Sequence, residues 1–216
     1  QQQCPVYQEI NEARLTTVSK DNEKARIILI GPKLDMFFQQ GIMTMIERRL
    51  IPFGIDISTQ AEKHRAWVYP MSVTHSHATI DFKDASNSQS LQLCHYLLPR
   101  EWFVWLVRFR ATRCQFGTFP MIASMGNAFT FPLETLIFYA LALAVTQRGN
   151  PNTTLADASI LVNSRVSVFG DDVIIESLHA QQYVDLCKSV GLEVNTAKTF
   201  MGQEFFRESC GVDVFD

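Results

Sequence analysis

Short apolar runs that fit strands alternate along this chain with longer segments of helical spacing. Arg26-Ile27-Ile28-Leu29-Ile30 is a β-type run closed by Gly31-Pro32. Residues 35–50 carry helical spacing, ended by Pro52 and Gly54, and Thr59-Gln60-Ala61-Glu62 reads as a capping box opening a helix toward Tyr69. Residues 77–82 predict a strand and 86–97 a helix. A second helix follows over 99–110, with Trp102, Phe103, Leu106 and Phe109 as its apolar stripe. Gly117 and Pro120 punctuate a hairpin-like segment, and 131–147 predicts a long apolar helix. Val166-Ser167-Val168-Phe169 and Val173-Ile174-Ile175 are β runs separated only by Gly170-Asp171-Asp172. A helix over 180–190, a short strand and a last segment at 205–210 complete the pattern. Arg148 to Thr154 reads as a surface loop inside one domain. This order predicts an α+β class built around an antiparallel sheet.

Pro132 and Glu134 interrupt the apolar stretch 131–145, and the uncharged run after Glu134 falls short of the ~20 residues a bilayer needs. It reads as a buried core helix, with no membrane segment. The 216 residues are 47% hydrophobic and 19% charged, which excludes a disordered tail or a low-complexity array. Cys4, Cys94, Cys114, Cys187 and Cys210 are odd in number and never form C-x-x-C, so a disulfide framework and a tetrahedral zinc site are disfavoured and a reducing cytoplasm is expected. The opening Gln1-Gln2-Gln3 has neither a Met nor an apolar signal region, as expected of a piece of a longer chain. Net charge is −3, but 14 basic and 11 acidic residues fall at or before Arg113, against 5 basic and 11 acidic after it. That split suits carboxylates that hold cations beside basic groups that hold phosphates; two solvated faces produce the same count.

The sharpest chemistry lies at Phe169-Gly170-Asp171-Asp172-Val173. Gly170 suits the positive φ of a two-residue hairpin turn, and the turn carries adjacent carboxylates between apolar strands. Two neighbouring carboxylates repel one another, and a divalent cation relieves both burial and repulsion. An ordinary exposed turn is the alternative. His77-Ala78-Thr79-Ile80-Asp81 is a second apolar strand ending in a carboxylate, unless Asp81 merely caps the following helix. Brought to one sheet edge, Asp81, Asp171 and Asp172 offer hard oxygen ligands suited to Mg²⁺ or Mn²⁺. Two such ions about 3.5–4 Å apart serve in-line phosphoryl transfer.

Ser124-Met125-Gly126-Asn127 precedes the long helix. Gly126 allows close backbone approach to a ligand, and Asn127 offers donor and acceptor toward a sugar hydroxyl; a plain helix start is the alternative. Lys20, Lys24 and Arg26 form a basic run that could meet a triphosphate or simply face solvent. Lys198, in Asn195-Thr196-Ala197-Lys198-Thr199-Phe200, is a cation in the acidic half. His64, His75, His77, His95 and His179 show no ligand spacing, and Trp67, Trp102 and Trp105 read as core.

Taken in order, these pieces, with Asp35-Met36-Phe37-Phe38-Gln39, residues 131–138 and Phe206-Arg207-Glu208-Ser209-Cys210-Gly211, resemble the RNA-directed RNA polymerase (replicase β-subunit) family of single-stranded RNA bacteriophages of the Q-beta type. The resemblance runs over nearly the whole chain. It implies a right-hand polymerase: residues 1–76 as partial fingers and finger–palm connection, 77–216 as the palm, with the thumb outside this stretch. It implies replication of a viral RNA genome by two-metal nucleotidyl transfer from NTPs with pyrophosphate release. Mg²⁺ (or Mn²⁺) would be held by Asp81, Asp171 and Asp172. Lys20, Lys24 and Arg26 match the motif over the triphosphate, Ser124, Gly126 and Asn127 the motif that reads ribose and template, and Lys198 the lysine that protonates pyrophosphate. Asn87 stands where relatives commonly carry an Asp that reads the ribose 2′-hydroxyl, which puts sugar discrimination in doubt. Lys83 is a further candidate for neutralising triphosphate charge. Implied partners are template and product RNA, NTPs, and host translation elongation factors with a ribosomal protein, in the bacterial host's cytoplasm. A reverse transcriptase, or a catalytically inactive palm that only binds RNA, would share part of the pattern.

Overall fold

The computed structural model describes residues 12–19, 25–147, 154–202 and 204–215. An antiparallel hairpin, β1 (Arg14–Ser19) with β2 (Ala25–Ile30), leads into α1 (Lys33–Leu50). Helix α1 buries Gln39, Ile42, Ile46 and Leu50, a stripe at three- and four-residue spacing. A 3₁₀ turn (Ile51–Phe53) closes on Gly54 at φ +80, and α2 (Ile57–Thr74) follows. Strand β3 (His77–Ile80) then leads to α3 (Ala85–Ser88), α4 (Leu91–Leu97), α5 (Arg100–Phe109) and the short hairpin β4 (Arg113–Cys114) with β5 (Gly117–Thr118). The second half runs α6 (Thr130–Thr146), α7 (Leu155–Ser164), β6 (Val166–Phe169), β7 (Asp172–Glu176), α8 (Ser177–Ser189) and the hairpin β8 (Phe206–Ser209) with β9 (Val212–Phe215). The class is mixed α and β with small antiparallel sheets, as the pattern predicts.

Several boundaries differ from the sequence reading. Asp56, not Thr59, caps α2, its carboxylate accepting from the Ser58 N–H at 3.0 Å; Thr59 lies inside the helix. The helix expected over 86–97 breaks into α3 and α4, because Ser90 accepts the Leu93 N–H and starts a new helix. Helix α7 was not anticipated, although Thr154 and Asp157 form a complete capping box. The short strand expected after α8 is reduced to isolated bridges, Val194 to Phe82 and Phe200 to Thr79. Trp105 is 54% exposed rather than core. Most of the loop expected over 148–154 lies outside the described residues.

The central sheet has strand order β3–β7–β6, all antiparallel. Its side chains alternate with period two. Ala78, Ile80, Val166, Val168, Val173 and Ile175 join the main core with Phe138 of α6 and Tyr183 of α8. On the other face, Ser167 meets Gln60 of α2 (2.8 Å), and Phe169 meets the His64 ring edge-on. Helix α6 is buried nearly all round, which explains why its sequence lacks a polar face. No helix among the described residues is long and apolar enough to cross a membrane. Cys94, Cys114, Cys187 and Cys210 are free thiols.

Candidate functional site

The β6–β7 connection is a two-residue turn. Phe169 pairs with Asp172, and Gly170 takes φ +62 at the first central position. Only a residue without Cβ fits, since a Cβ there would lie 2.3 Å from Phe131 Cε2. The Thr135 hydroxyl of α6 accepts the Gly170 N–H at 2.9 Å, so α6 docks against the turn from below. Asp171 is thereby held at the tip and Asp172 at the first position of β7.

Strand β3 pairs with β7 in the register Ile80 to Val173. One step further along the same antiparallel pairing, Asp81 comes opposite Asp172. The segment after α8 supports Asp81 from the other side: the Asn195 N–H donates to the Asp81 carbonyl at 2.9 Å, and Asn195 Nδ2 donates to Asp81 Oδ2 at 2.6 Å. Asp81 and the Asp171–Asp172 pair, ninety residues apart in sequence, therefore share one sheet edge.

Their electrostatics agree. Burial pushes the Asp172 carboxyl up to about 6, and the charges of Asp171 and Asp81 add to the rise. Asp81 is raised mainly by burial and also by Asp171, while the Asn195 hydrogen bond and Lys198 oppose that rise. This is mutual repulsion among acids that a cation would relieve. One oxygen of Asp81 faces Asn195, and Asp172 Oδ2 accepts the Cys210 N–H at 3.3 Å. Among the described residues no three His, Cys, Asp or Glu side chains already form a closed metal-ligand group. The donor chemistry fits a hard divalent ion.

Lys198 lies on the segment beside β3, its Nζ donating to Glu208 Oε1 at 2.5 Å. That bond, with the charges of Glu208, Asp81 and Asp172, raises its pKa. Ser124 and Asn127 are buried just before α6, and Ser124 Oγ and both Asn127 amide atoms are buried without a hydrogen-bond partner among the described residues. Gly126 sits at φ +109, and a Cβ there would lie 2.3 Å from the Leu29 carbonyl oxygen. The close approach that Gly126 permits is therefore made by strand β2, not by a ligand, and the Leu29 N–H donates to the Met125 carbonyl at 2.8 Å. Gln39 locks the same loop, accepting the Ala128 N–H (3.2 Å) and donating to the Phe109 carbonyl (2.7 Å).

The remaining candidates are less integrated. Arg26 is exposed on β2 opposite Val18, and Lys20 and Lys24 lie outside the described residues. Asn87 is exposed in α3. Lys83 is occupied by Glu193 at 2.5 Å, with both side chains at least half exposed, which fits a solvent-facing turn lysine. Two acidic residues beside these groups carry no role in the sequence pattern. Glu134 of α6 is 5% exposed, and its carboxyl is pushed up to about 8 by burial and by Asp171. In the sequence it only marked a break in an apolar run. Glu208 lay in a segment carrying the family resemblance but had no role.

Comparison with known proteins follows the same lines. The family model described as RNA replicase, beta-chain, matches residues 2–216. The RNA-directed RNA polymerase subunit beta of Escherichia virus Qbeta is 39% identical over 92% of this chain and 32% of its own length. The counterpart of Enterobacteria phage SP is 36% identical over 94% of this chain and 34% of its own. The RNA-directed RNA polymerase beta chain of Escherichia phage MS2 is 33% identical over 97% and 38%. The chain thus spans about a third of the length of these relatives. By the match over essentially all its residues, it belongs to the RNA replicase beta-chain family.

Proposed function

We propose that this chain carries the nucleotidyl-transfer centre of a phage RNA-directed RNA polymerase. Residues 1–76 are read as part of the fingers and their connection, and 77–216 as the palm. The observation that supports this most is the juxtaposition of Asp81 and Asp172 across β3 and β7, with Asp171 at the adjoining turn tip.

In this reading Asp81, Asp171 and Asp172 hold divalent ions, Mg²⁺ in the cell with Mn²⁺ as a substitute. Bound there, such ions would supply Lewis-acid activation of the growing strand's 3′-hydroxyl and neutralise triphosphate charge. The 3′-hydroxyl releases its proton to solvent as its oxygen bonds to the α-phosphorus, and the bond from that phosphorus to the oxygen shared with the β-phosphate breaks. Lys198 keeps a proton at Nζ and gives it to the departing pyrophosphate, then regains one from solvent. Ser124, Gly126 and Asn127 are read as the motif that recognises ribose and template, with the polar atoms of Ser124 and Asn127 as its hydrogen-bonding groups. Lys20, Lys24 and Arg26 hold the triphosphate. Asn87, exposed in α3, adds an uncharged hydrogen-bonding group near the sugar. Template RNA, product strand and NTPs are the partners, in the bacterial host's cytoplasm.

Replacing Asp171 by Asn in the full-length replicase subunit tests the reading by primer extension. Elongation is expected to fall at least 10³-fold, the scale expected when electrostatic stabilisation of a phosphoryl transfer is removed. Wild-type turnover would refute the assignment.

A further inference from the structure

Strand β8 alternates like any strand, and its two faces do different work. Arg207 and Ser209 form the anchoring face. Arg207 is fully buried and donates to the carbonyls of His77 (3.3 Å), Gly202 (3.1 Å), Glu204 (2.5 Å) and Phe206 (2.8 Å). Ser209 meets His64 Nδ1 of α2 at 2.9 Å. The residue between them, Glu208, points the other way, and its Oε1 accepts from Lys198 Nζ at 2.5 Å. Its side chain is 22% exposed against 50% for Lys198, so the carboxylate is the fixed member of the pair. One residue past Ser209, the Cys210 N–H reaches Asp172 Oδ2. A single anchored strand and the residue after it therefore reach both the lysine and one candidate ligand, Asp172 of β7.

A lysine has four flexible methylenes and samples many rotamers unless its end is tied. We propose that Glu208 is a positioning residue that holds the Lys198 ammonium beside the carboxylates and acts on nucleotide addition only through that lysine. This rests on the reading of Lys198 as the proton donor to pyrophosphate. Glu208 touches no nucleotide; only the Lys198 Nζ–H bond breaks, and its proton passes to the leaving oxygen. The charged groups facing the ammonium are Glu208 from β8, Asp81 after β3 and Asp172 from β7.

The test uses the full-length replicase with Lys198→Ala, Glu208→Gln and both together, measuring kcat, KM for NTP and the pH profile of kcat. Lys198→Ala is expected to slow kcat about 10²-fold, at the low end of general-acid effects, and Glu208→Gln about 10-fold with KM unchanged. In Glu208→Gln the alkaline limb of the profile moves to lower pH, because an ammonium without its carboxylate neighbour loses its proton more easily. The double variant is expected to be no slower than Lys198→Ala, since the glutamate acts only through the lysine. Glu208→Gln with wild-type kcat, or a double variant slowed by the product of the two effects, would overturn the inference while leaving the lysine assignment standing. Wild-type kcat in Lys198→Ala would overturn the lysine assignment itself, and the inference with it.

Discussion

Gly170 lies flat against the Phe131 ring: an added Cβ would meet Phe131 Cε2 at 2.3 Å and Cζ at 2.9 Å. The turn that presents Asp171 is therefore shaped from two sides, by its own left-handed φ of +62 and by the first turn of α6. Gly170→Ala meets both penalties, a left-handed Cβ cost of about 1–2 kcal/mol and an overpacking cost of about 1–3 kcal/mol. Denaturant unfolding should show a loss of roughly 2–5 kcal/mol. Adding Phe131→Ala should recover the steric part but not the backbone part.

Glu134 gives the fold a pH dependence. Its carboxyl is raised from 4.5 to about 8 in the folded protein. Below pH 4.5 both folded and unfolded forms hold the proton and the group contributes no difference. Between about 4.5 and 8 the unfolded chain releases it while the folded one retains it, so stability falls as pH rises and then levels off. Glu134→Gln removes that loss, worth up to about 5 kcal/mol on this shift. Thermal melts in chelator-treated buffer should show the variant gaining on wild type from pH 5 to pH 8.5. A constant difference across that range would contradict this account.

Arg207 ties β8 to β3 through carbonyls that only a fork of donors can reach together. Arg207→Lys should therefore fail to substitute, losing about 2–4 kcal/mol in equilibrium unfolding. Arg207→Met should lose at least as much.

Asn195 donates to Asp81 Oδ2 at 2.6 Å, a hydrogen bond that favours the carboxylate over the acid. That bond lowers the Asp81 pKa against the rise from burial. Asn195→Ala should raise it, so Asp81 takes up its proton at a higher pH. The acid limb of nucleotide addition should then move to higher pH while the alkaline limb stays in place.

The β6–β7 hairpin and its neighbour strand were legible because apolar alternation, a turn glycine and strand-end acids are all local signals. Val166 to Ile175 and Ala78 to Asp81 fold as their patterns predict. What escaped depends on tertiary docking. Glu134 gains its shifted acidity only because α6 packs beneath the turn, and no local pattern marks that. Glu208 matters only because β8 is anchored by a buried arginine, a residue type ordinarily expected at the surface. Gly126 was read as room for a ligand, but nothing near it in sequence indicates that β2, a hundred residues earlier, fills that space. The break at Ser90 and the capping box of α7 were local signals that went unread.

The most direct measurement is a Mn²⁺ titration of the protein followed by electron paramagnetic resonance, with Asp81→Asn and Asp171→Asn alongside. Convergence of the three acids on one ion site predicts saturable binding by wild type and a loss of at least 10-fold in affinity for each variant, as removal of a charged ligand requires. Equal Mn²⁺ affinity in wild type and both variants would contradict it.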